Sequence, residues 1–187
     1  MMRSRIEALF RDQLARIGDP WLRKKTVDVW VAAAEEGGWQ PEELDRIPFT
    51  LLTETRGIDL IQHTKAVTEG ALGLAEALER NEELPFSIDH DLLVVGGLLH
   101  DVGKLLEIEK TDSGYRKSSH GMHARHPISG AILAAKFDLP LAVINMIGCH
   151  AKEGEGRPQR VETVLIHQAD FATFNPMVML EKGQLII

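Results

Sequence analysis

Hydrophobic positions recur along most of the chain at the three- and four-residue spacing of helices, and the strict alternation of strands is rare. This pattern predicts helices over about residues 4–17, 19–36, 58–80, 127–137, 141–151 and 160–173, and one that begins after Asp89 and carries LLVVGGLLHDVGK. Gly18, the Asp19-Pro20 step and the Gly37-Gly38 pair are typical helix boundaries. The chain is therefore predicted to be all-α.

Two stretches fall outside this helical pattern. Residues 109–126, EKTDSGYRKSSHGMHARH, are polar and predict a loop long enough to have a function. Residues 175–187 end in apolar side chains that we expect to pack on the body of the protein or on a partner. The pattern further predicts that residues 1–55 form a helical extension, without obvious chemistry, that packs on a core formed by residues 56–187.

Composition and charge limit the function classes. The 187 residues suit one domain, or one domain with a small appendage, and the net charge of −7 argues against nonspecific binding of nucleic acid. A single cysteine, Cys149, excludes an internal disulfide and fits a reducing compartment. The first residues have no apolar signal-peptide core, and the apolar runs are too short to cross a membrane. We therefore expect a cytoplasmic protein without a membrane partner; its oligomeric state stays open.

A His-Asp pair interrupts the most apolar segment, LLVVGGLLHDVGKLLE at residues 92–107. An ionised carboxylate is costly to bury unless it is paired or binds a metal ion. His100 and Asp101 therefore indicate a compensating partner at the end of this helix.

Four more metal-competent side chains lie on the apolar faces of separate predicted helices. His63 and His150 continue the apolar stripes of their helices, His126 precedes a helix start, and Asp170 lies in a helix with few polar residues. Each alone has a structural explanation, because a buried histidine commonly bonds a carbonyl group. These four side chains, taken together with the His-Asp pair, favour a metal site, because a divalent cation compensates several buried polar groups at once.

The order and context of these residues resemble the HD-domain superfamily of metal-dependent phosphohydrolases. The similarity covers about residues 58–174 and rests on the segments HTKAV, LLHDVGK and HQADFAT. The resemblance implies a helical bundle with a dinuclear site bridged by Asp101. The ligands implied for one ion are His63, His100, Asp101 and Asp170. The further ligands implied for the second ion are His126 and His150.

The sequence departs from the HD-GYP branch of that superfamily. It has no GYP signature, and Ala151 stands where that branch has a second adjacent histidine. This departure argues against hydrolysis of cyclic di-GMP. The mixed histidine and carboxylate set favours Fe, Mn, Co, Ni or Zn, with Mg also possible, and does not choose among them.

Asp101 and Lys104 are the predicted catalytic residues. Two ions about 3.5–4 Å apart clamp a phosphoryl group and activate a water molecule, which Asp101 would orient. Lys104 matches the lysine that follows the His-Asp pair in the family and would neutralise phosphate charge. A solvated lysine at a helix end is the alternative interpretation of Lys104.

Predicted substrate contacts come from Lys104 and from the polar regions near the ligands. They comprise Lys104, Arg116, His120, His123 and Lys152. His120, His123 and His126 are spaced by three residues, and His126 is preferred as the ligand because HPISGAILA matches the family's downstream helix. For Lys152, a solvated face is the favoured interpretation, and a substrate contact is the alternative.

Three functions remain in competition. The favoured one is hydrolysis of a phosphoester or phosphoanhydride bond in a nucleotide-like small molecule. A di-iron oxygenase of the inositol-oxygenase type uses a similar ligand set, but the segments HPISGAILA and VETVLIHQADFAT favour the hydrolase branch. A degenerate HD signalling module is the third, although all six ligand positions are retained.

Overall fold

The computed structural model describes residues 1–157 and 159–187 and shows a bundle of helices with one small hairpin. The α-helices are α1 Met2–Leu9, α2 Arg11–Leu14, α3 Pro20–Glu36, α4 Leu60–Asn81, α5 His90–Leu99, α6 Lys104–Glu107, α7 Ser119–His123, α8 His126–Lys136, α9 Leu141–Cys149 and α10 Val161–Glu181. Short 3-10 turns lie at Leu44–Arg46 and Lys152–Gly154, and the hairpin comprises β1 Ile108–Thr111 and β2 Gly114–Lys117. The predicted all-α class is confirmed.

Helix α5 runs through the centre of the bundle. Its residues from Leu93 to Leu99 are buried, and it contacts α3, α4, α9 and α10. Helix α4 packs along α10, and α8 packs along α9. Helix α5 is therefore enclosed by other helices along its buried residues.

The prediction that this helix continues through Lys104 is wrong. Helix α5 ends at Leu99, His100 is its C-cap, and a turn leads into α6. At this turn the backbone passes close to α8, because a Cβ atom on Gly103 would lie 2.2 Å from the carbonyl oxygen of His126. The absence of a side chain at Gly103 allows this close approach.

The N-terminal residues share the core with the rest of the chain. Asp19 caps α3 by accepting hydrogen bonds from the Trp21 and Leu22 backbone amides. Within α3, Trp30 Nε1 donates to the carbonyl of Leu98 on α5 at 2.9 Å. The division of the chain at residue 55 stays a prediction.

The first predicted helix, over residues 4–17, is broken in the structure. Phe10 separates α1 from α2 with φ −110° and ψ 21°. Its ring packs on Trp30 with centroids 4.9 Å apart. Packing of this aromatic pair accompanies a local break that helical periodicity alone does not reveal.

The prediction of a loop over residues 109–126 is also wrong in detail, because this segment forms most of the hairpin and helix α7. Strands β1 and β2 pair antiparallel, with Thr111 opposite Gly114. The tight turn between them uses Gly114 at φ +128°, a conformation that favours glycine. The strands are too short for a convincing alternation of polar and apolar residues.

Helix α10 extends beyond its predicted end at Thr173 and contains Pro176. Proline removes one backbone hydrogen bond, but tertiary packing along α4 compensates for weak local propensity. The last residues do not pack on the body, since Ile186 and Ile187 are each 99% exposed. Within residues 1–157 and 159–187, no helix combines the length and apolar character needed to cross a membrane.

Candidate metal centre

Asp101 is fully buried and faces four imidazoles. Its Oδ2 atom lies 3.2 Å from His63 Nε2 and 3.4 Å from His100 Nε2. Its Oδ1 atom lies 3.2 Å from His126 Nε2 and 3.7 Å from His150 Nε2. The two carboxylate oxygens therefore divide the histidines into two groups that share one aspartate.

Asp170 on α10 joins the first of these groups. Its Oδ1 atom lies 3.2 Å from His63 Nε2. Burial opposes ionisation of both carboxylates, but neighbouring cations and imidazoles outweigh it. The pKa of Asp170 falls to about 2 chiefly through His63, and the pKa of Asp101 falls well below its ordinary value, with Lys104 as the main cause after burial. Both side chains are ionised at neutral pH and can bind a cation.

Hydrogen bonds at Nδ1 determine which nitrogen of His100 and His150 faces the site. His100 Nδ1 lies 2.7 Å from the carbonyl oxygen of Gly97, and His150 Nδ1 lies 2.8 Å from that of Ile147. A carbonyl only accepts, so each Nδ1 carries the proton and each Nε2 presents a lone pair.

The same tautomer follows for the other two histidines. His126 Nδ1 donates to Glu107 Oε2 at 2.7 Å. His63 Nδ1 lies 3.2 Å from the hydroxyl of Thr173, which itself donates to the Asp170 carbonyl and therefore accepts from the imidazole. Partners of this kind orient histidine ligands in known metal sites.

Several of the inward-facing atoms have no hydrogen-bond partner. Among the described residues, buried and unpaired atoms include Nε2 of His63, His100 and His150 and Oδ1 of Asp101. Leaving such atoms unpaired costs about 1–3 kcal/mol each. Two groups of three residues that share Asp101 have ligand atoms within 4.8 Å of one another. The residues of each group therefore fit a divalent metal ion, whose binding would satisfy the unpaired atoms of that group.

The pKa values of His63 and His126 shift in opposite directions. Burial works against protonation of His63, but its contacts with Asp101 and Asp170 outweigh burial and raise its pKa. Burial dominates at His126 and lowers its pKa to about 4 despite the nearby Asp101. The carboxylates around His63 therefore favour positive charge there, and the His126 imidazole is neutral at physiological pH.

Lys104 lies beside the shared aspartate. Its Nζ atom is 2.5 Å from Asp101 Oδ2 and 2.5 Å from the carbonyl oxygen of Phe49. An ammonium group has three donors, so one remains for a molecule in the adjoining cavity. The solvated interpretation of Lys104 is wrong, because only 13% of the side chain is exposed.

A cavity of about 570 Å³ adjoins this centre. Cationic side chains and apolar side chains both contribute to its wall. The cationic lining residues are Lys104, Lys117, Arg125 and Lys152. The apolar lining residues are Phe49, Leu51, Leu52, Ile108, Ala151, Phe171 and Phe174. Such a wall suits a molecule with an anionic group and an apolar group.

The structure places only two of the five predicted substrate contacts at the cavity. Lys104 and Lys152 line the cavity, whereas its described lining does not include the other three. Arg116 Nε bonds Glu109 Oε1 at 2.6 Å on the hairpin surface. His120 Nε2 lies 2.8 Å from the Ser129 hydroxyl, and His123 Nδ1 lies 2.9 Å from the Ser119 carbonyl.

Two residues at the centre were not predicted. Glu107 holds His126, and Phe49 stacks on His63 with centroids 4.6 Å apart. Glu107 follows Lys104 at helical spacing at the end of an apolar segment, a signal that could have identified it. Phe49 lies in a stretch without periodicity, so no local signal indicated its contact.

A model of the HD domain matches residues 60–172, which is more than half of the chain and includes all six predicted ligands. The chain belongs to the HD-domain family. No solved structure matches it significantly.

Two kinds of curated protein are similar to this HD-domain chain. Dihydroneopterin 2',3'-cyclic phosphate phosphodiesterase of Methanocaldococcus jannaschii is 30% identical over 114 residues, 60% of this chain and 45% of that protein. Ribonuclease Y of Pseudothermotoga lettingae is 29% identical over 133 residues, 71% of this chain and 22% of that protein. Ribonuclease Y of Clostridium botulinum is 34% identical over 83 residues, 44% of this chain and 14% of that protein. The chain thus spans less than half the length of these relatives.

Proposed function

We propose that this protein is a metal-dependent phosphohydrolase. It cleaves a phosphoester or phosphoanhydride bond in a nucleotide-like small molecule with a metal-activated water. The proposed ligands of two divalent ions are His63, His100, Asp101, His126, His150 and Asp170. Fe, Mn, Co, Ni and Zn all suit this mixture of imidazole and carboxylate, with Mg as a weaker candidate.

The arrangement around Asp101 is the observation that carries the proposal. Each carboxylate oxygen lies near two imidazole nitrogens whose lone pairs point inward. A site for one ion needs only one such group, and the second group gives Asp101 the position of a bridging ligand. Two adjacent divalent ions are typical of sites that catalyse displacement at phosphorus.

The chain's own residues supply orientation and charge. Bound divalent ions lower the pKa of water and stabilise charge on a phosphoryl group. Asp101 would orient the attacking water by accepting a hydrogen bond from it. Lys104 would donate its remaining N–H to a phosphate oxygen, while Asp101 and the Phe49 carbonyl hold the ammonium in place. Lys152 lines the same cavity and is a second candidate phosphate contact.

The cavity favours a small phosphorylated molecule with a ring. Its volume of about 570 Å³ and its mixture of cationic and phenylalanine side chains suit a nucleotide. The name of the Methanocaldococcus jannaschii relative, a phosphodiesterase of a cyclic phosphate, supports the same class. The net charge of −7 favours a small molecule over an RNA chain.

Metal analysis joined to a substrate screen tests the proposal. The full chain is purified, its metal content is measured, and hydrolysis of phosphorylated metabolites and an RNA oligonucleotide is followed with Mn(II). We expect turnover of small phosphoesters or phosphoanhydrides, and loss of both metal and turnover in Asp101→Ala. His90→Ala is the matched control, because His90 pairs with Glu79 on the surface and its side chain is 42% exposed.

Other outcomes would reject the proposal. Consumption of oxygen by the iron-loaded protein, without hydrolysis of any phosphoester or phosphoanhydride, supports the di-iron oxygenase instead. Preferred cleavage of the oligonucleotide moves the substrate class to RNA. A protein that holds no metal and is unchanged by Asp101→Ala is a degenerate module.

A further inference from the structure

A segment outside the matched HD domain reaches the metal centre. Residues 49–54, which we name the strap, precede α4, whereas the domain match begins at residue 60. At the start of the strap, Phe49 stacks on His63 with ring planes 22° apart. The backbone carbonyl oxygen of Phe49 accepts a hydrogen bond from Lys104 Nζ at 2.5 Å. The first residue of the strap is therefore tied to a predicted metal ligand and to the predicted catalytic lysine.

The other end of the strap is tied to α10. The Thr53 hydroxyl donates to Glu181 Oε2, and the Glu54 backbone amide donates to the same oxygen at 3.3 Å. Glu181 is the last residue of α10. Polar contacts therefore hold the strap at both ends, across the cavity that α10 also lines.

Between these ties the strap presents two leucines to the cavity. Leu51 is 42% exposed and Leu52 is 79% exposed, and both line the cavity with Phe171 and Phe174 of α10. Isolated exposed leucines are common on protein surfaces. These two differ because they are adjacent, belong to the cavity wall and are held there by contacts on either side.

We propose that the strap determines substrate specificity by covering a planar ring of the substrate. Leu51 and Leu52 pack on the ring, and Phe171 and Phe174 complete the apolar wall. Glu181 is a positioning residue that keeps the leucines at the cavity. This inference rests on the proposed function, which accounts for binding of the substrate's phosphate group. It adds the side chains that select the substrate's ring.

Two ligands that differ only in the ring isolate this effect. AMP and ribose 5-phosphate share a sugar phosphate, and only AMP carries a base. Their dissociation constants are measured by calorimetry for the full chain as purified and again with Mn(II). We expect AMP to bind wild type at least about fivefold more tightly, as base contacts with apolar and aromatic side chains require.

Leu52→Ala should remove part of this preference. We expect the ratio of the two dissociation constants to fall by about threefold or more, through weaker binding of AMP alone. The matched control is Leu141→Ala at the start of α9, because Leu141 is 83% exposed and is not among the described lining residues of the cavity. Glu181→Ala should lower the ratio in the same direction.

The outcomes separate this inference from the proposed function. Absence of metal or of turnover counts against the proposed hydrolase function. The ratio of the dissociation constants of AMP and ribose 5-phosphate remains measurable on the protein as purified. Equal affinity of wild type for the two ligands, or an unchanged ratio in Leu52→Ala with unchanged thermal stability, overturns the role of the strap. If the ratio of the dissociation constants falls in Leu52→Ala but stays at the wild-type value in Glu181→Ala, the positioning role of Glu181 is overturned.

Discussion

Glu107 holds His126 through a single carboxylate oxygen. Its Oε2 atom accepts from the backbone amide of His126 at 2.6 Å and from the Nδ1 atom at 2.7 Å. Burial would raise the pKa of Glu107, but the bonds from His126 outweigh burial and lower it to about 2. The carboxylate therefore stays ionised and orients the imidazole, with Nε2 towards Asp101.

Removal of this carboxylate should weaken metal binding. We expect Glu107→Ala to lower the affinity for metal about 10- to 100-fold, because the His126 ring loses its orientation and its proton acceptor. Titration of the apo-protein with Mn(II) measures the change. Glu109→Ala is the control, since Glu109 pairs with Arg116 on the hairpin surface. Equal affinities of the two variants would contradict a positioning role for Glu107.

Substitution of Lys104 should lower turnover and leave the metal content unchanged. In Lys104→Gln the ammonium that neutralises phosphate is lost while all six predicted metal ligands remain. We expect kcat/KM for a phosphorylated substrate to fall about 100-fold, as is typical when one donor to a developing charge is removed. Lys110→Gln is the control, because Lys110 pairs with Glu43 and is more than half exposed. Wild-type kinetics in Lys104→Gln would reject the catalytic assignment.

Helical periodicity predicted that several side chains of the centre point inward, and the resemblance to HD domains implied the set of six, whereas Glu107 and Phe49 were not predicted. His63 and His150 continue apolar helical stripes, so an inward direction follows from local sequence alone. Asp101 follows an apolar helix, where an unpaired carboxylate is costly. These signals are local, and the structure brings all three side chains into one cluster.

Contacts between distant segments could not be predicted in this way. Phe49 meets His63 and Lys104 only after α4 and α6 have packed, and its own stretch has no periodicity. The break at Phe10 accompanies packing of its ring against the distant Trp30. Helix α10 continues through Pro176 although local propensity favours an end. In each case tertiary packing overrides the local preference.

Metal removal should destabilise the protein. With metal at 100 times its dissociation constant, binding to the folded state alone adds about 2.7 kcal/mol to the free energy of unfolding. We therefore expect a chelator to lower the Tm of the Mn(II)-loaded protein in calorimetric scans. Asp101→Ala should melt at the same temperature with and without chelator. A wild-type Tm that is independent of chelator would contradict metal binding at this centre.

The turn between α5 and α6 should depend on Gly103. A Cβ atom there would lie 2.2 Å from the carbonyl oxygen of His126 and 2.7 Å from the backbone nitrogen of Gly130. Both atoms belong to the backbone of α8, so relief of the contact must move that helix. His126 lies at the first position of α8 and would move with it.

We expect Gly103→Ala to lower the free energy of unfolding by about 1–3 kcal/mol, because overpacking forces a backbone shift. Metal affinity should fall as well, since the His126 imidazole is displaced from Asp101. Gly73→Ala is the matched control: it lies on an exposed face of α4, no atom lies within 4 Å of its added Cβ, and the change should stabilise the helix by about 1 kcal/mol. Denaturant unfolding and Mn(II) titration measure both effects. A Gly103→Ala protein as stable as wild type, with unaltered affinity, would show that α8 accommodates the methyl group without moving His126.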